Sequence, residues 1–207
     1  MYHSNHQKKA PMFAFDKPTA VKLAHINCRE ERHGDESVAA IDLKFVSEAG
    51  NSQLAMLHPD LRAALYDTDD DERPGLDGIE PIATKLRFPA MLQFAWELEM
   101  TGCEVEVDYG LGLESNIVLA DCKVNQFRVE CRPGGTTLIT FRVQTSNFPE
   151  GAVDKLLGKL GHETAITLEA PAAPAQGDLD LSTKPPAAAN DQKAKTPEQA
   201  MADVVRA

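Results

Sequence analysis

Hydrophobic and polar residues alternate over much of this chain, and a period of two is typical of half-buried β-strands. The alternation predicts eight strands, at residues 21–28, 38–46, 93–100, 103–109, 116–123, 124–131, 136–145 and 164–168. Because most of these segments follow one another at short spacing, we expect antiparallel hairpins arranged as a meander.

Two connections stand out between the predicted strands. Residues 132–135, Arg-Pro-Gly-Gly, are a strong turn signal and predict a hairpin between the sixth and seventh strands. Residues 29–37, REERHGDES, are charged and contain Gly34, so we expect an exposed loop between the first two strands.

Two segments carry the apolar spacing of a helix instead. Pro59 opens residues 59–66, where Leu61, Ala64 and Leu65 recur at helical spacing. Residues 150–160 predict an amphipathic helix with four apolar side chains facing inward, which are Val153, Leu156, Leu157 and Leu160.

These elements predict a mainly β (α+β) domain with two short helices over residues 12–170. The sequence does not determine the strand order, so an antiparallel β-sandwich and a partly open barrel are both retained as alternatives.

Residues 1–11 are interpreted as a flexible leader. Residues 171–207 are rich in Ala and Pro and hold no aromatic residue, so we expect a disordered tail.

The charge balance argues against a simple coat for DNA. The formal net charge is −11, of which residues 171–207 carry −1 and the rest −10. Such a body repels phosphate backbones on average, although a local basic groove is compatible with it. The hairpin around residues 132–135 carries a candidate nucleic-acid face of four cations, Lys123, Arg128, Arg132 and Arg142. An ordinary solvated face is the favoured interpretation of these residues.

No pattern in the chain points to catalysis, a cofactor or a metal ion. The four cysteines form no CxxC pair, and the six histidines are dispersed. Residues 67–73, DTDDDER, lack the Gly and the Glu that an EF-hand requires. The Gly110-Leu111-Gly112 turn lacks the third glycine of a dinucleotide fingerprint and leads into a predicted strand. We therefore expect a protein that is not an enzyme and has no cofactor.

The sequence also bears on location. No run approaches the ~20 apolar residues that cross a bilayer, and the first 15 residues lack the apolar segment of a secretory signal. The expectation is a cytoplasmic protein with reduced cysteines and no membrane contact.

One segment of the tail is specific enough to suggest a protein partner. Gln176, Leu179 and Leu181 form a Q-x-x-L-x-L pattern. It resembles the short motif by which bacterial replication and repair proteins dock on the DNA sliding clamp. Isolated apolar residues in a polar segment are typical of recognition motifs. A docking motif and a plain spacer are weighed evenly.

Residues 33–45, 86–89 and 108–130 resemble a group of uncharacterised bacteriophage and prophage proteins. The resemblance implies a gene cluster of early DNA metabolism and assigns no functional residue.

We consider three hypotheses for the function. The first is a non-catalytic accessory protein of phage DNA replication or recombination, whose tail recruits a partner such as the sliding clamp. The second is an acidic inhibitor of a host defence protein, and the third is a structural subunit of the virion.

Overall fold

The computed structural model describes residues 13–34, 36–68, 83–110 and 115–171. The chain divides into two units, residues 1–172 and 173–207, and all described residues belong to the first unit. The predicted leader at residues 1–11 lies outside the described residues, and so does the predicted tail beyond Pro171.

Strands dominate the described ranges, as the alternation predicts, and the mainly β class is confirmed. The strands are β1 (Phe15–His33), β2 (Glu36–Gly50), β3 (Tyr66–Thr68), β4 (Ala83–Leu86), β5 (Gln93–Trp96), β6 (Met100–Val107), β7 (Ile117–Cys131), β8 (Thr136–Thr145) and β9 (Glu163–Glu169). The helices are a 3-10 helix (Asn51–Met56), α1 (Leu61–Leu65) and α2 (Ala152–Leu157).

Six strands close into a barrel in the order β1-β2-β8-β7-β6-β9, with β9 pairing back onto β1. Every neighbouring pair is antiparallel. β5 is an extra strand on β7, and β3 and β4 pair separately. The predicted sandwich and partly open barrel are therefore both wrong. The sheet closes because pairings between segments distant in sequence, such as β9 with β1, join its edges.

β7 is the strand that pairs with three neighbouring strands, β5, β6 and β8. It pairs with β6 through its first half, and its second half pairs with β8 on one edge and with β5 on the other. The sequence predicts two strands here, 116–123 and 124–131, but the structure has one. Asp121 and Gln126 adopt left-handed backbone angles, φ 50° and 54°, next to the points where the pairing registers shift. Such β-bulges bend a strand, and bending lets one strand follow the barrel wall.

Inward-facing side chains fill the barrel. β8 alternates strictly, with Ile139, Phe141 and Val143 buried and the residues between them partly exposed. The ring centroid of Phe13 lies 4.9 Å from that of Phe127 and 5.2 Å from that of Phe141. Because this aromatic cluster is fully buried, the interior serves as a packed core, and the outer surface is the place for binding.

The 3-10 helix, which the sequence does not predict, is tied to the start of β8 by hydrogen bonds. Asn51 N–H donates to the carbonyl of Gly135 at 2.7 Å. The Gln53 side chain donates to the carbonyl and hydroxyl oxygens of Thr137, each at 2.7 Å. A helix this short shows no apolar periodicity in sequence, because tertiary hydrogen bonds determine its position.

α2 is shorter than the predicted helix 150–160, and two of its four predicted inward side chains are misplaced. Leu156 is buried and Val153 half-buried, but Leu157 is 51% and Leu160 40% exposed. The helix ends at Leu157, so Leu160 does not continue its apolar stripe. Likewise, α1 occupies only the middle of the predicted helix 59–66.

The predicted loop 29–37 and the predicted strand 93–100 also differ from the structure. β1 continues to His33 and β2 begins at Glu36, because Gly34 at φ +67° allows a tight turn between them. Strand pairing stops after Trp96 and resumes at Met100, where β6 begins.

None of the helices in the described ranges has the length and hydropathy needed to cross a membrane.

Candidate functional site

A row of cationic and polar side chains crosses the outside of the barrel from β1 to β7. In the strand registers His25 lies opposite Lys44, Lys44 opposite Arg142, and Arg142 opposite Asn125. Arg128 lies opposite Thr140 on the same surface. We call the surface formed by His25, Lys44, Arg128 and Arg142 the basic face.

The pairing of Lys44 with Arg142 costs stability, because like charges directly opposite each other in a sheet repel. Within the part of the chain that the structure describes, the side chains of Lys44 and Arg128 form neither an ion pair nor a hydrogen bond. Their charges therefore remain available to an anionic partner.

Arg142, in contrast, is held in place by a chain of hydrogen bonds. Its Nε donates to Asn125 Oδ1 at 3.0 Å, and Asn125 Nδ2 donates to Gln144 Oε1 at 3.1 Å. Gln144 Nε2 then donates to Asp42 Oδ1 at 2.8 Å, and Arg29 Nε donates to the same oxygen at 3.0 Å. This chain orients the guanidinium, which also interacts electrostatically with the exposed carboxylate of Glu99.

Asp42 ends this chain as a carboxylate. Partial burial raises the pKa of Asp42, but hydrogen bonds from Gln144, Arg29 and Asn27 outweigh burial and the pKa is lowered below its ordinary value of 3.8. The group is therefore ionised at neutral pH, and its charge is shared with Arg29 rather than with the cations of the basic face.

The basic face surrounds a depression of about 440 Å³. Lys44, Arg128 and Arg142 contribute to its lining, and Gln93 of β5, Gln126 of β7 and Asn27 of β1 add carboxamide groups. The Asp42 carboxylate also lines the depression, where its charge is paired with Arg29. A concave surface that combines positive charge with neutral hydrogen-bonding groups is suited to an anion that also carries polar groups.

Gln126 reaches this depression because of the second bulge in β7. Its neighbours Asn125 and Phe127 are both buried, whereas Gln126 itself is exposed. A non-glycine residue in the left-handed region costs on the order of 1–3 kcal/mol, and such strain concentrates at functional positions.

The structure brings together only part of the predicted face of Lys123, Arg128, Arg132 and Arg142. Arg128 and Arg142 lie in the basic face. Lys123 pairs with Glu99 at 2.7 Å. Arg132 lies beyond the end of β7 and contacts Glu130 at 2.8 Å and Glu48 at 3.6 Å.

Sequence reasoning missed Lys44 and His25, which come from the first hairpin, and the two glutamines. The alternation of β2 places Lys44 on the outer surface, and that signal is present in the sequence. The neighbouring positions of β2 and β8 are a property of the strand order, which the sequence does not reveal.

Gln176, Leu179 and Leu181 lie outside the described residues, and so do 69–73 of the acidic run and 111–112 of the glycine turn. In the described ranges, no group of three or more His, Cys, Asp or Glu side chains could hold a metal ion. All four cysteines are free thiols, with Cys28 exposed and the other three buried.

No family model, curated protein or solved structure matches the chain. Its function is therefore inferred from the chemistry of the basic face and the depression that this face surrounds.

Proposed function

We propose that this chain is a non-catalytic nucleic-acid-binding protein of phage DNA metabolism that holds a single strand on its basic face. The observation that carries the proposal is the group of Lys44, Arg128 and Arg142 around one depression, with two of these cations directly opposite each other. Phosphate groups would relieve the repulsion between them and release counterions on binding.

A single strand fits the dimensions and the lining of this surface. Four neighbouring strands, from β1 to β7, are about 14 Å across at the usual spacing of about 4.8 Å. Proteins that bind single strands combine a positive groove with groups that contact the bases, over about 4–16 nucleotides. The net charge of −11 weakens long-range attraction, so we expect binding of moderate affinity that depends on these local contacts.

The test compares two variants with the same change in charge. The first removes the face, Lys44→Gln/Arg128→Gln/Arg142→Gln. The control, Arg87→Gln/Arg132→Gln/Lys159→Gln, removes three cations that lie outside the depression. Binding of a fluorescent oligonucleotide of about 15 nucleotides is measured by anisotropy, and circular dichroism verifies that each variant is folded.

The face variant should bind at least about tenfold more weakly, while the control stays within about threefold of the wild type. Equal weakening of both variants would show that only net charge matters and would contradict the proposal. Absence of binding by the wild type would contradict it directly.

In this proposal the tail recruits a protein partner, and the sliding clamp is the candidate because of Gln176, Leu179 and Leu181. The barrel would then hold the strand, and the tail would bring it to the replication machinery. This part of the proposal rests on the sequence motif alone.

The second candidate, an acidic inhibitor of a host protein, is favoured by one observation. On the opposite side of the barrel, Glu104 of β6 lies directly opposite Glu169 of β9, and Glu106 follows on the same outer surface. An inhibitor that imitates DNA would displace nucleic acid from its target and bind no oligonucleotide itself. The anisotropy measurement therefore separates the two functions.

A further inference from the structure

We propose that the depression in the basic face holds one base of the bound strand, and that Gln93 and Gln126 are the side chains that contact it. The inference rests on the proposed function and adds a base-recognition site to a surface otherwise explained by phosphate contacts. The cations would hold the phosphates, and the two carboxamides would contact the base edge.

The depression is large enough to admit a base and offers groups that complement its edge. Its volume of about 440 Å³ lies within the range of small-molecule sites in proteins. Each glutamine carboxamide presents a donor beside an acceptor, which is the arrangement that the edges of nucleobases complement.

The bulge at Gln126 is the second line of support. A regular strand sends alternate residues outward, but the extra residue in β7 leaves Gln126 exposed between the buried Asn125 and Phe127, two positions before the exposed Arg128. Glycine would form the same left-handed turn without strain, yet this position carries a side chain that lines the depression. Such strained positions concentrate at functional sites, and the strained side chain here lines the depression.

Asp121 supplies an internal comparison. It has the same left-handed backbone, at φ 50° against 54° for Gln126, and lies on the same strand. It is absent from the lining of the depression. Substitutions at the two positions therefore change the backbone in similar ways, but only one of them removes a group from the proposed base site.

The test uses two oligonucleotides with the same length and the same number of phosphates, one complete and one with abasic sugars throughout its central part. Wild-type protein should bind the complete strand at least about tenfold more tightly, since base contacts are absent from the abasic strand. Gln93→Ala/Gln126→Ala should bind both strands with the affinity that the wild type has for the abasic strand. Asp121→Ala should keep the wild-type difference.

The outcomes distinguish this inference from the proposed function. If the wild type binds neither strand, the proposed function fails. If it binds both strands equally, or if the double variant keeps the difference, the base site is wrong although the basic face stands. A free nucleoside monophosphate that binds the wild type as tightly as the complete strand would overturn the assignment of this depression to a strand.

Discussion

Burial determines the reactivity of individual cysteines in this barrel. Cys103 and Cys122 are buried cross-strand neighbours on β6 and β7. Burial raises the pKa of Cys103 to about 11 and the pKa of Cys122 to about 12. Because the thiolate is the reactive form, these two side chains are inert near neutral pH while the barrel is folded.

We therefore predict one rapidly reacting thiol in the native protein, that of the exposed Cys28, and four after unfolding. The measurement is the time course of reaction with Ellman's reagent at about pH 8, near the ordinary thiol pKa, with and without denaturant. Cys28→Ser should abolish the rapid phase. A second rapid thiol in the folded wild type would show that the barrel opens or that the core is packed differently.

The sequence predicts a shared position only for those residues of the candidate site that lie on the hairpin around residues 132–135. Arg128 and Arg142 lie on two strands joined by a strong turn signal, so the sequence placed them on one face. Lys44 belongs to the other hairpin, and its position opposite Arg142 follows from the pairing of β2 with β8. Gln126 was missed because its backbone is left-handed and its residue type gives no sign of that.

At the level of elements, the alternation in β7 predicts the strand but not its continuity across the two bulges. The alternation correctly marked the segment as strand, but it changes phase at each bulge. Leu119 and Cys122 both face inward, and so do Val124 and Phe127, with two residues between the members of each pair. A change of phase resembles a strand boundary, which explains why one bent strand was predicted as two.

The bulges lead to a prediction about stability. Gln126→Gly and Asp121→Gly should each stabilise the protein by about 1 kcal/mol, because the relief of left-handed strain exceeds the entropy that glycine adds to the unfolded chain. Urea unfolding measures the change, with Ala at the same positions as the control that keeps the strain. Loss of stability in both glycine variants would contradict the account of β7.

On the described barrel, the basic face and a pair of facing glutamates lie on different sides, and composition cannot reveal such an arrangement. Cations lie on the side of β2 and β8, whereas Glu104 and Glu169 lie across the barrel on β6 and β9. The net charge of −11 averages over both sides. This average favoured a solvated interpretation of the basic residues, because it contains no information about their positions.

The closure of the barrel could not be predicted from the sequence either. The alternating pattern predicts which side chains face the core, and it does so correctly for Val105 and Val107. It does not determine which strands become neighbours. The pairing of β9 with both β1 and β6 joins distant segments of the chain, and no local signal encodes it.

The most direct test of the central claim is the salt dependence of binding to a single strand. The three cations Lys44, Arg128 and Arg142 predict a slope of about −2 for the logarithm of the association constant against the logarithm of salt concentration, at about −0.7 for each phosphate contact. Titrations between about 50 and 200 mM salt measure this slope. We expect a slope near −2 for the wild type and near zero for the variant Lys44→Gln/Arg128→Gln/Arg142→Gln. A wild-type slope near zero, or the same slope in both proteins, would contradict it.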